Sequence, residues 1–355
     1  MPSAAEPWIE SLSPWPEEFG LERMHALLRE LGEPQRAFRS VHVVGTNGKS
    51  TATATIAALL EAEGMRAGAY LSPHVSGWAE RIRIGGEEAD FDEAVERVRP
   101  AALRLGATQF EAVTAAAFAA FAEAGVEAAA VEAGLGGRLD ATNVLDAPVV
   151  LLTNVSEEHM DVLGETREQI AREKLAVAHA ASVVVLPDNE FMRFVPLRAS
   201  VAIGGAREAA EAFLGHPVRA EIDVALPGRL ERRPGGEVWD GAHNAAGAEW
   251  LAAQLEPGHV VCASILRDKD ARAMLASFAR LGRTLVATRS SSPRALPAAE
   301  LAEVARPYFD RVEVVADPAA ALARARELGR PLVTGSLYLL ADLARAAARR
   351  EQTVR

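Results

Sequence analysis

The sequence has 355 residues, of which 49% are hydrophobic and 25% charged, so it encodes a globular protein of about two domains rather than a disordered chain. Its 38 basic and 49 acidic residues give a net charge of −11, which disfavours nucleic acid or an anionic membrane as the main partner. A single cysteine, Cys262, excludes an internal disulfide and a cysteine-rich zinc site. The first 20 residues lack the apolar stretch of a secretory signal, and apolar runs are too short to span a membrane, so we expect a cytoplasmic protein.

Apolar β-branched runs alternate with alanine-rich helical stretches from residue 41 onward. This alternation is typical of βαβ units and a mostly parallel sheet. A proline- and glycine-containing stretch at 226–229 interrupts it and predicts a boundary between domains at residues 1–225 and 226–355. The pattern predicts strands at 41–44, 65–71, 126–131, 149–153, 182–186, 238–240, 260–263, 284–288, 312–315 and 332–334. It predicts helices at 50–63, 91–105, 110–124, 165–180, 206–213, 245–255, 271–280, 298–305, 318–328 and 337–349.

The segment GTNGKST, residues 45–51, lies between a predicted strand and a predicted helix. Glycines let backbone N–H groups approach phosphate oxygens, and a helix N-terminus adds positive potential. In such a loop Lys49 reaches the outer phosphates, and Ser50 or Thr51 holds Mg²⁺. A glycine turn capped by a hydroxyl is the alternative interpretation, because Val43 replaces the first glycine of the strict motif. The predicted nucleotide contacts are Thr46, Asn47, Gly48, Lys49, Ser50 and Thr51.

The loop and the alternating pattern together predict an α/β fold. The first domain is expected to be of the P-loop ATPase type with a mostly parallel sheet, and the second a smaller Rossmann-like α/β domain. Glu132 follows a predicted strand, where parallel sheets gather their ligands. A carboxylate there can hold Mg²⁺, although a glutamate in the first turn of a helix is the alternative.

Lysine occurs at only three positions among the 38 basic residues: Lys49, Lys174 and Lys269. A lysine ammonium is a compact charge and, when neutral, a nucleophile, whereas the arginine guanidinium stays charged. Compositional drift toward arginine is the alternative explanation. A surface ion pair is the ordinary role for Lys174 on its predicted helix, and a solvated turn for Lys269.

Several further motifs accompany the phosphate loop in a fixed order. On these the sequence resembles the folylpolyglutamate synthase/dihydrofolate synthase family of the Mur ligase superfamily. The motifs are SPH at 72–74, ERIRI at 80–84, EAGLGGRLDATN at 132–143, IAREK at 170–174, PGRLE at 227–231, DGAHN at 240–244 and GSLY at 335–338.

The resemblance implies an enzyme that uses ATP and Mg²⁺ to join L-glutamate to a pterin or folate carboxylate through an acyl phosphate. Dihydropteroate, tetrahydrofolate or both would be the acceptor, giving dihydrofolate or folylpolyglutamate. It also implies small molecules as the partners and a monomeric chain. Two alternatives are a Mur-type amino-acid ligase acting on a cell-wall precursor and a nucleotide-binding regulatory module without ligase activity.

The resemblance also implies roles for single residues. Ser72, Glu132 and His159 would hold a second Mg²⁺, beside Thr51 of the phosphate loop, although histidine is an unusual ligand for so hard a cation. Lys174 would be carbamylated and would act in catalysis with Lys49 and His159. Arg229, Asp240 and His243 would contact ATP. The substrate contacts would be Thr108, Gln109, Phe110, Glu111, Leu139, Asp140 and Ala141.

Overall fold

A computed structural model describes residues 5–180 and 182–354, so the first four residues of the amino-terminal stretch considered above lie outside it. The described chain divides into two compact units. Unit 1 comprises the described residues up to Pro73 together with Trp78–Val224. Unit 2 comprises His74–Gly77 and the described residues from Ala225 onward.

Unit 1 is an α/β unit in which strands and helices alternate along most of the chain. Its helices are α1 (Ala5–Ser11), α2 (Glu22–Glu30), α3 (Lys49–Ala62), α4 (Phe91–Leu105), α5 (Gln109–Glu123), α6 (Met160–Leu163), α7 (Arg167–Leu175) and α8 (Ala206–Leu214). Its strands are β1 (Arg39–Val44), β2 (Ala67–Tyr70), β3 (Ile82–Ile84), β4 (Glu87–Glu88), β5 (Ala128–Glu132), β6 (Val149–Leu152), β7 (Val183–Leu186) and β8 (Ser200–Ile203).

The sheet of unit 1 brings the ends of three strands to one place. Its order is β4-β3-β2-β5-β1-β6-β7-β8, parallel from β2 to β8 and antiparallel where β3 and β4 join. Val43 of β1 lies opposite Glu132 of β5 on one side and Leu151 of β6 on the other. Strands β5 and β6 are buried throughout, as expected for the centre of a parallel sheet covered on both faces. The residues that follow β1, β5 and β6 therefore meet at one edge.

Local sequence explains where the helices around this sheet begin and end. Asp90 and Thr108 each accept a backbone N–H in the first turn of α4 and α5, and α4 ends at Gly106 in the left-handed conformation. The alanine-rich helix α5 is buried along almost its whole length. Helix α7 ends at Leu175, five residues before the predicted end at residue 180.

Unit 2 holds a second, mostly parallel sheet in the order β13-β12-β11-β14-β10-β9, with β9 antiparallel to β10. Its helices are α9 (Ala245–Gln254), α10 (Ala271–Phe278), α11 (Ala298–Ala305), α12 (Pro318–Leu328) and α13 (Leu337–Val354). Its strands are β9 (Glu231–Arg232), β10 (Val238–Trp239), β11 (His259–Ala263), β12 (Thr284–Ala287), β13 (Arg311–Val314) and β14 (Arg330–Thr334).

One short segment from early in the chain packs within unit 2. Val75 is 3% exposed and belongs to the apolar cluster that contains Trp239 and Leu340. Gly228 lies so close to it that a Cβ there would be 3.1 Å from the Val75 side chain and 2.6 Å from Leu340. The contact therefore requires a residue without a side chain at position 228.

The predicted α/β class, with a large mostly parallel sheet and a second sheet, is confirmed. The sequence pattern did not predict α1, α2, α6, the β3–β4 hairpin, β8 or β9, each of which has nine residues or fewer. Among the described residues, every helix is too short or too polar to serve as a membrane span.

Candidate active site

The phosphate-loop segment connects β1 to α3, as its sequence predicts. Gly45 has a φ of 147°, and a Cβ there would lie 1.9 Å from Oγ1 of Thr153, so a side chain would be both strained and blocked. Gly48 has a φ of 79° and directly precedes the first helical residue, Lys49. The Lys49 Nζ donates to the backbone oxygen of Thr46 at 3.2 Å. The Lys49 side chain thus reaches back to the backbone of its own loop.

Residues after β6 hold the loop from the side. The Asn154 side chain accepts the backbone N–H of Asn47 through Oδ1 and donates to its oxygen through Nδ2, both at 3.0 Å. The Thr153 hydroxyl donates to the same oxygen at 2.7 Å. Thr153 and Asn154 were not predicted from the sequence, although their position after a strand beside β1 is the signal that identifies them.

A buried carboxylate lies beside the start of α3. Glu132 is 1% exposed. Its Oε1 accepts the Ser50 hydroxyl at 3.1 Å, and its Oε2 accepts the backbone N–H of Ser72 at 2.9 Å. The structure therefore brings together three residues that were predicted separately, Ser50, Ser72 and Glu132. Thr51 is exposed, so the hydroxyl that contacts Glu132 is that of Ser50.

This cluster of oxygen atoms suits a magnesium ion. Mg²⁺ is a hard cation that takes one or two carboxylates, hydroxyl oxygens and the oxygens of a phosphate substrate. Within the described residues no three His, Cys, Asp or Glu side chains are gathered as a metal site. A metal here would therefore depend on Glu132, hydroxyl groups and nucleotide oxygens. His159 is exposed and directly precedes α6, and its role as a metal ligand stays a prediction.

Lys174 is buried on α7 with 4% exposure, rather than lying at the surface. Its Nζ donates to the backbone oxygen of Gly45 at 2.7 Å, so it contacts the phosphate loop directly. Burial first, and then the charge of Lys49, lower its pKa to about 7, against the opposing effect of nearby carboxylates, of which Glu158 has the largest effect. A substantial fraction of this amine is therefore neutral at physiological pH.

The glycine-rich loop after β5, residues 133–143, packs directly against the backbone of α7. A Cβ on Gly137 would lie 2.5 Å from the Lys174 backbone oxygen. The backbone N–H of Arg138 donates to the oxygen of Glu173 at 3.1 Å, and its Nε donates to the Glu173 carboxylate at 2.9 Å. The glycine therefore permits the close contact that fixes the position of Lys174.

The Asp140 carboxylate is used to shape this loop. It is 6% exposed, and burial raises its pKa. Oδ2 accepts the backbone N–H of Leu135 at 2.8 Å, while Oδ1 accepts the N–H and the hydroxyl of Thr142 at 3.0 and 2.5 Å. Its neighbours Leu139 and Ala141 are half-buried and buried, and their predicted substrate contacts stay predictions.

The predicted substrate segment 108–111 lies at the start of α5. Phe110 contacts the glycine-rich loop, because a Cβ on Gly134 would lie 2.5 Å from the Phe110 ring. Thr108 and Glu111 form a capping box, and Glu111 also accepts Nε of Arg23 at 2.8 Å. Gln109 donates from its side chain to the backbone oxygen of Ile9 at 3.0 Å. Of the four, Phe110 is therefore the residue whose side chain is not used to hold α5 or the amino-terminal segment.

In unit 2, Asp240 and His243 lie on the turn that follows β10. Asp240 is 5% exposed and accepts the backbone N–H groups of Leu230 at 2.8 Å and Ala242 at 2.9 Å. His243 Nδ1 donates to the backbone oxygen of Gly241 at 2.8 Å. Arg229 is half-buried, with Nη1 3.2 Å from the oxygen of Gly228. The predicted ATP contacts of these three residues stay predictions.

Comparison with known proteins assigns the chain to a family. The model of the Mur ligase middle domain matches residues 43–203, and that of the Mur ligase glutamate ligase domain matches residues 228–337. A Mycobacterium tuberculosis protein named dihydrofolate synthase/folylpolyglutamate synthase is 33% identical, over 84% of this chain and 81% of that protein. The chain belongs to the dihydrofolate synthase/folylpolyglutamate synthase family. The resemblance inferred from sequence is therefore confirmed, and with it the expectation of a ligase.

Solved structures of this synthase family have the same fold. Mycobacterium tuberculosis folylpolyglutamate synthase complexed with ADP matches with a TM-score of 0.86 and 31% identity, over 96% of this chain and 97% of that one. A bifunctional folylpolyglutamate synthase/dihydrofolate synthase from Yersinia pestis, complexed with AMPPNP and a Mn ion, matches with a TM-score of 0.83 and 28% identity, over 97% of each chain.

Proposed function

We propose that this protein joins L-glutamate to the carboxylate of dihydropteroate, tetrahydrofolate or both, with ATP as the energy source. The observation that carries the proposal is the group of residues around the phosphate loop. Ser50, Ser72 and Glu132 share hydrogen bonds, and Lys174 donates to Gly45 in the same loop. These residues come from the motifs that define the resemblance to the family, which the comparisons with relatives support independently.

The proposed reaction has two steps. An oxygen of the substrate carboxylate attacks the γ-phosphorus of ATP, and the bond to the β-phosphate oxygen breaks to give an acyl phosphate and ADP. The amine of glutamate then attacks the acyl carbon, loses a proton and releases inorganic phosphate. Lys49 is the cation that balances negative charge on the transferring phosphoryl group. Arg229, Asp240 and His243 are the proposed ATP contacts of unit 2.

Ser50 and Glu132 are the proposed holders of magnesium, with Thr51, Ser72 and His159 as further candidates. When bound, this ion supplies charge neutralisation for the phosphate oxygens. Glu132 already accepts hydrogen bonds on both oxygens, so its carboxylate is oriented before any ligand arrives. Phe110, Leu139 and Ala141, with Thr108, Gln109, Glu111 and Asp140, are the proposed surroundings of the pterin or folate acid.

Carbamylation of Lys174 is part of the proposal. A neutral amine adds to CO₂ and loses a proton to form a carbamate, and burial lowers the pKa of Lys174 to about 7, which makes the neutral form available. We expect a ¹³C carbamate resonance in wild type under ¹³CO₂ that is absent from Lys174→Arg, together with loss of activity in that variant. Wild-type activity in Lys174→Arg would dispose of the carbamate.

The function is tested by following ADP release with dihydropteroate or tetrahydrofolate, each with and without L-glutamate. The proposal expects turnover that requires ATP, the pterin acid and glutamate together. Nucleotide binding without such turnover would favour the regulatory module. Turnover with a cell-wall precursor, but with neither pterin acid, would favour the other Mur-type ligase. Gel filtration of the purified chain tests the prediction of a monomer, and cell fractionation tests the prediction of a cytoplasmic protein.

A further inference from the structure

A buried histidine in the central strand of unit 1 has no role in the function proposed above. His42 lies on β1, between Val131 of β5 and Val150 of β6, and is 0% exposed. Its Nε2 lies 2.8 Å from the hydroxyl oxygen of Thr142, which is also fully buried. Among the described residues, its Nδ1 has no hydrogen-bond partner. Burial of a polar group without a hydrogen bond costs free energy, and the contact with Thr142 offsets that cost for Nε2 alone.

The direction of the hydrogen bonds follows from the chain of contacts. The Thr142 hydroxyl has one proton, which it donates to Asp140 Oδ1 at 2.5 Å. The same hydroxyl must therefore accept from His42, so the proton of the imidazole is on Nε2. Burial lowers the pKa of His42 to about 3, so the ring is neutral and Nδ1 stays unprotonated. Hydrogen bonds are therefore donated in one direction, from His42 on β1 to the Thr142 hydroxyl and from that hydroxyl to the Asp140 carboxylate.

This series of hydrogen bonds ends at Asp140, the residue that holds the glycine-rich loop in shape. Asp140 closes the loop by accepting the backbone N–H groups of Leu135 and Thr142. On one side this loop touches the Phe110 ring at Gly134, and on the other it touches the backbone of Lys174 at Gly137. A small rotation of the Asp140 carboxylate would therefore be transmitted to both neighbours.

We propose that His42 is a positioning residue for the pterin or folate acid: its Nε2–H fixes the Thr142 hydroxyl, which fixes Asp140 and the loop of residues 134–140. This inference rests on the proposed function, since it assigns the loop to substrate binding. His42 itself touches no reacting group. A histidine is suited to the task because it fills the space of a ring and still presents one N–H at its far end.

Steady-state kinetics of full-length variants test the inference. His42→Phe keeps a ring but lacks the donor, and we expect it to raise KM for the pterin acid about ten-fold while KM for ATP stays at the wild-type value. His42→Gln carries an amide N–H at a similar distance, so its KM for the pterin acid should return most of the way to the wild-type value. The matched control is His259→Phe, which replaces another buried histidine on a parallel strand, in unit 2, and should leave KM for the acid unchanged.

A second pair of variants keeps the test decisive if His42→Phe does not fold. Thr142→Val removes the hydroxyl and should reproduce the KM effect, whereas Thr142→Ser retains it and should not. In the wild-type protein, ¹⁵N spectra should place the His42 proton on Nε2. A wild-type KM in both His42→Phe and Thr142→Val, equal effects on both substrates, or a proton on Nδ1 would each overturn the inference. A wild-type protein without glutamate-dependent ADP release would instead refute the proposed function.

Discussion

Two lysines beside the phosphate loop differ in what surrounds them. Lys49 begins α3 and donates to Thr46 within its own loop, whereas Lys174 is buried on α7 and donates to Gly45. The charge of Lys49 contributes to the lowered pKa of Lys174. Lys174 is therefore suited to supply a neutral amine, whereas Lys49 begins the helix that follows the phosphate loop. The scarcity of lysine pointed to both positions, but burial distinguishes their chemistry.

Replacement of Lys49 by alanine should slow catalysis strongly and leave the fold intact. We expect Lys49→Ala to lower kcat for glutamate-dependent ADP release by about 100- to 1,000-fold, because a cation aimed at the transferring phosphate is lost. Arg36→Ala is the control, since Arg36 has a 78% exposed side chain in the same unit. Turnover at the wild-type rate in Lys49→Ala would remove Lys49 from the mechanism.

Stability should depend on pH through Lys174. Its pKa is about 7 in the folded protein against 10.5 for an ordinary lysine, so between these values the unfolded chain binds the additional proton. The free energy of unfolding of wild type relative to Lys174→Met should therefore rise with pH from 7 to 10, by at most about 1.4 kcal/mol per pH unit. Below pH 7 the difference should be constant.

Urea titrations of both proteins in CO₂-free buffer at several pH values measure this difference. The comparison cancels groups that both proteins share, such as Cys262, whose thiol has its pKa raised to about 12 by burial. A difference that does not change with pH, or that falls as pH rises, would contradict the account of Lys174.

At the scale of elements, the site is built where β1, β5 and β6 end together. The phosphate loop follows β1, the glycine-rich loop follows β5, and the Thr153–Asn154 pair follows β6. The register of the central strands places these three connections side by side. The phosphate loop is therefore held by its neighbour as well as by its own glycines.

Loss of the Asn154 side chain should weaken nucleotide binding. Asn154→Ala removes two hydrogen bonds to the backbone of Asn47, so we expect the Kd of ADP to rise about ten-fold. Asn189→Ala is the matched control, because Asn189 is exposed and lies away from the loop in sequence. Titration calorimetry measures both. Equal affinities for the two variants would show that the loop does not need this support.

A methyl group on Gly137 should disturb the contact with α7. The new Cβ would lie 2.5 Å from the Lys174 backbone oxygen, so Gly137→Ala is expected to cost about 1–3 kcal/mol of stability and to lower activity. In Gly205→Ala the nearest atom is 4.0 Å away, so the only cost is that of alanine at the N-cap of α8, which should stay below that of Gly137→Ala, at about 0.5 kcal/mol. If thermal unfolding shows both variants equally stable, the close packing of the loop on α7 is wrong.

At the scale of the whole molecule, the sequence predicted most of the regular structure. Helix 91–105 and helix 318–328 have the predicted ends, because each begins after an aspartate that accepts a backbone N–H of the first turn, which is a local signal. The inclusion of Val75 in unit 2 could not be predicted, since it depends on packing against Trp239 and Leu340 far along the chain.

The candidate site was predicted in part for the same reason. Motifs identified Lys49, Ser50 and Glu132, and the structure brings Ser50 and Glu132 into contact. The support from Asn154 and the contact of His42 with Thr142 join residues about 100 positions apart, which a single sequence does not reveal. The burial of Lys174 likewise results from tertiary packing and not from its helical pattern.

The central claim is that ATP phosphorylates the carboxylate of the pterin acid before glutamate attacks it. Dihydropteroate or tetrahydrofolate labelled with ¹⁸O in that carboxylate tests the claim directly. During product synthesis one labelled oxygen should be transferred to the released inorganic phosphate, because the bond between the acyl carbon and that oxygen breaks. Unlabelled phosphate from a reaction that makes the glutamyl product would contradict the acyl phosphate and with it the proposed mechanism.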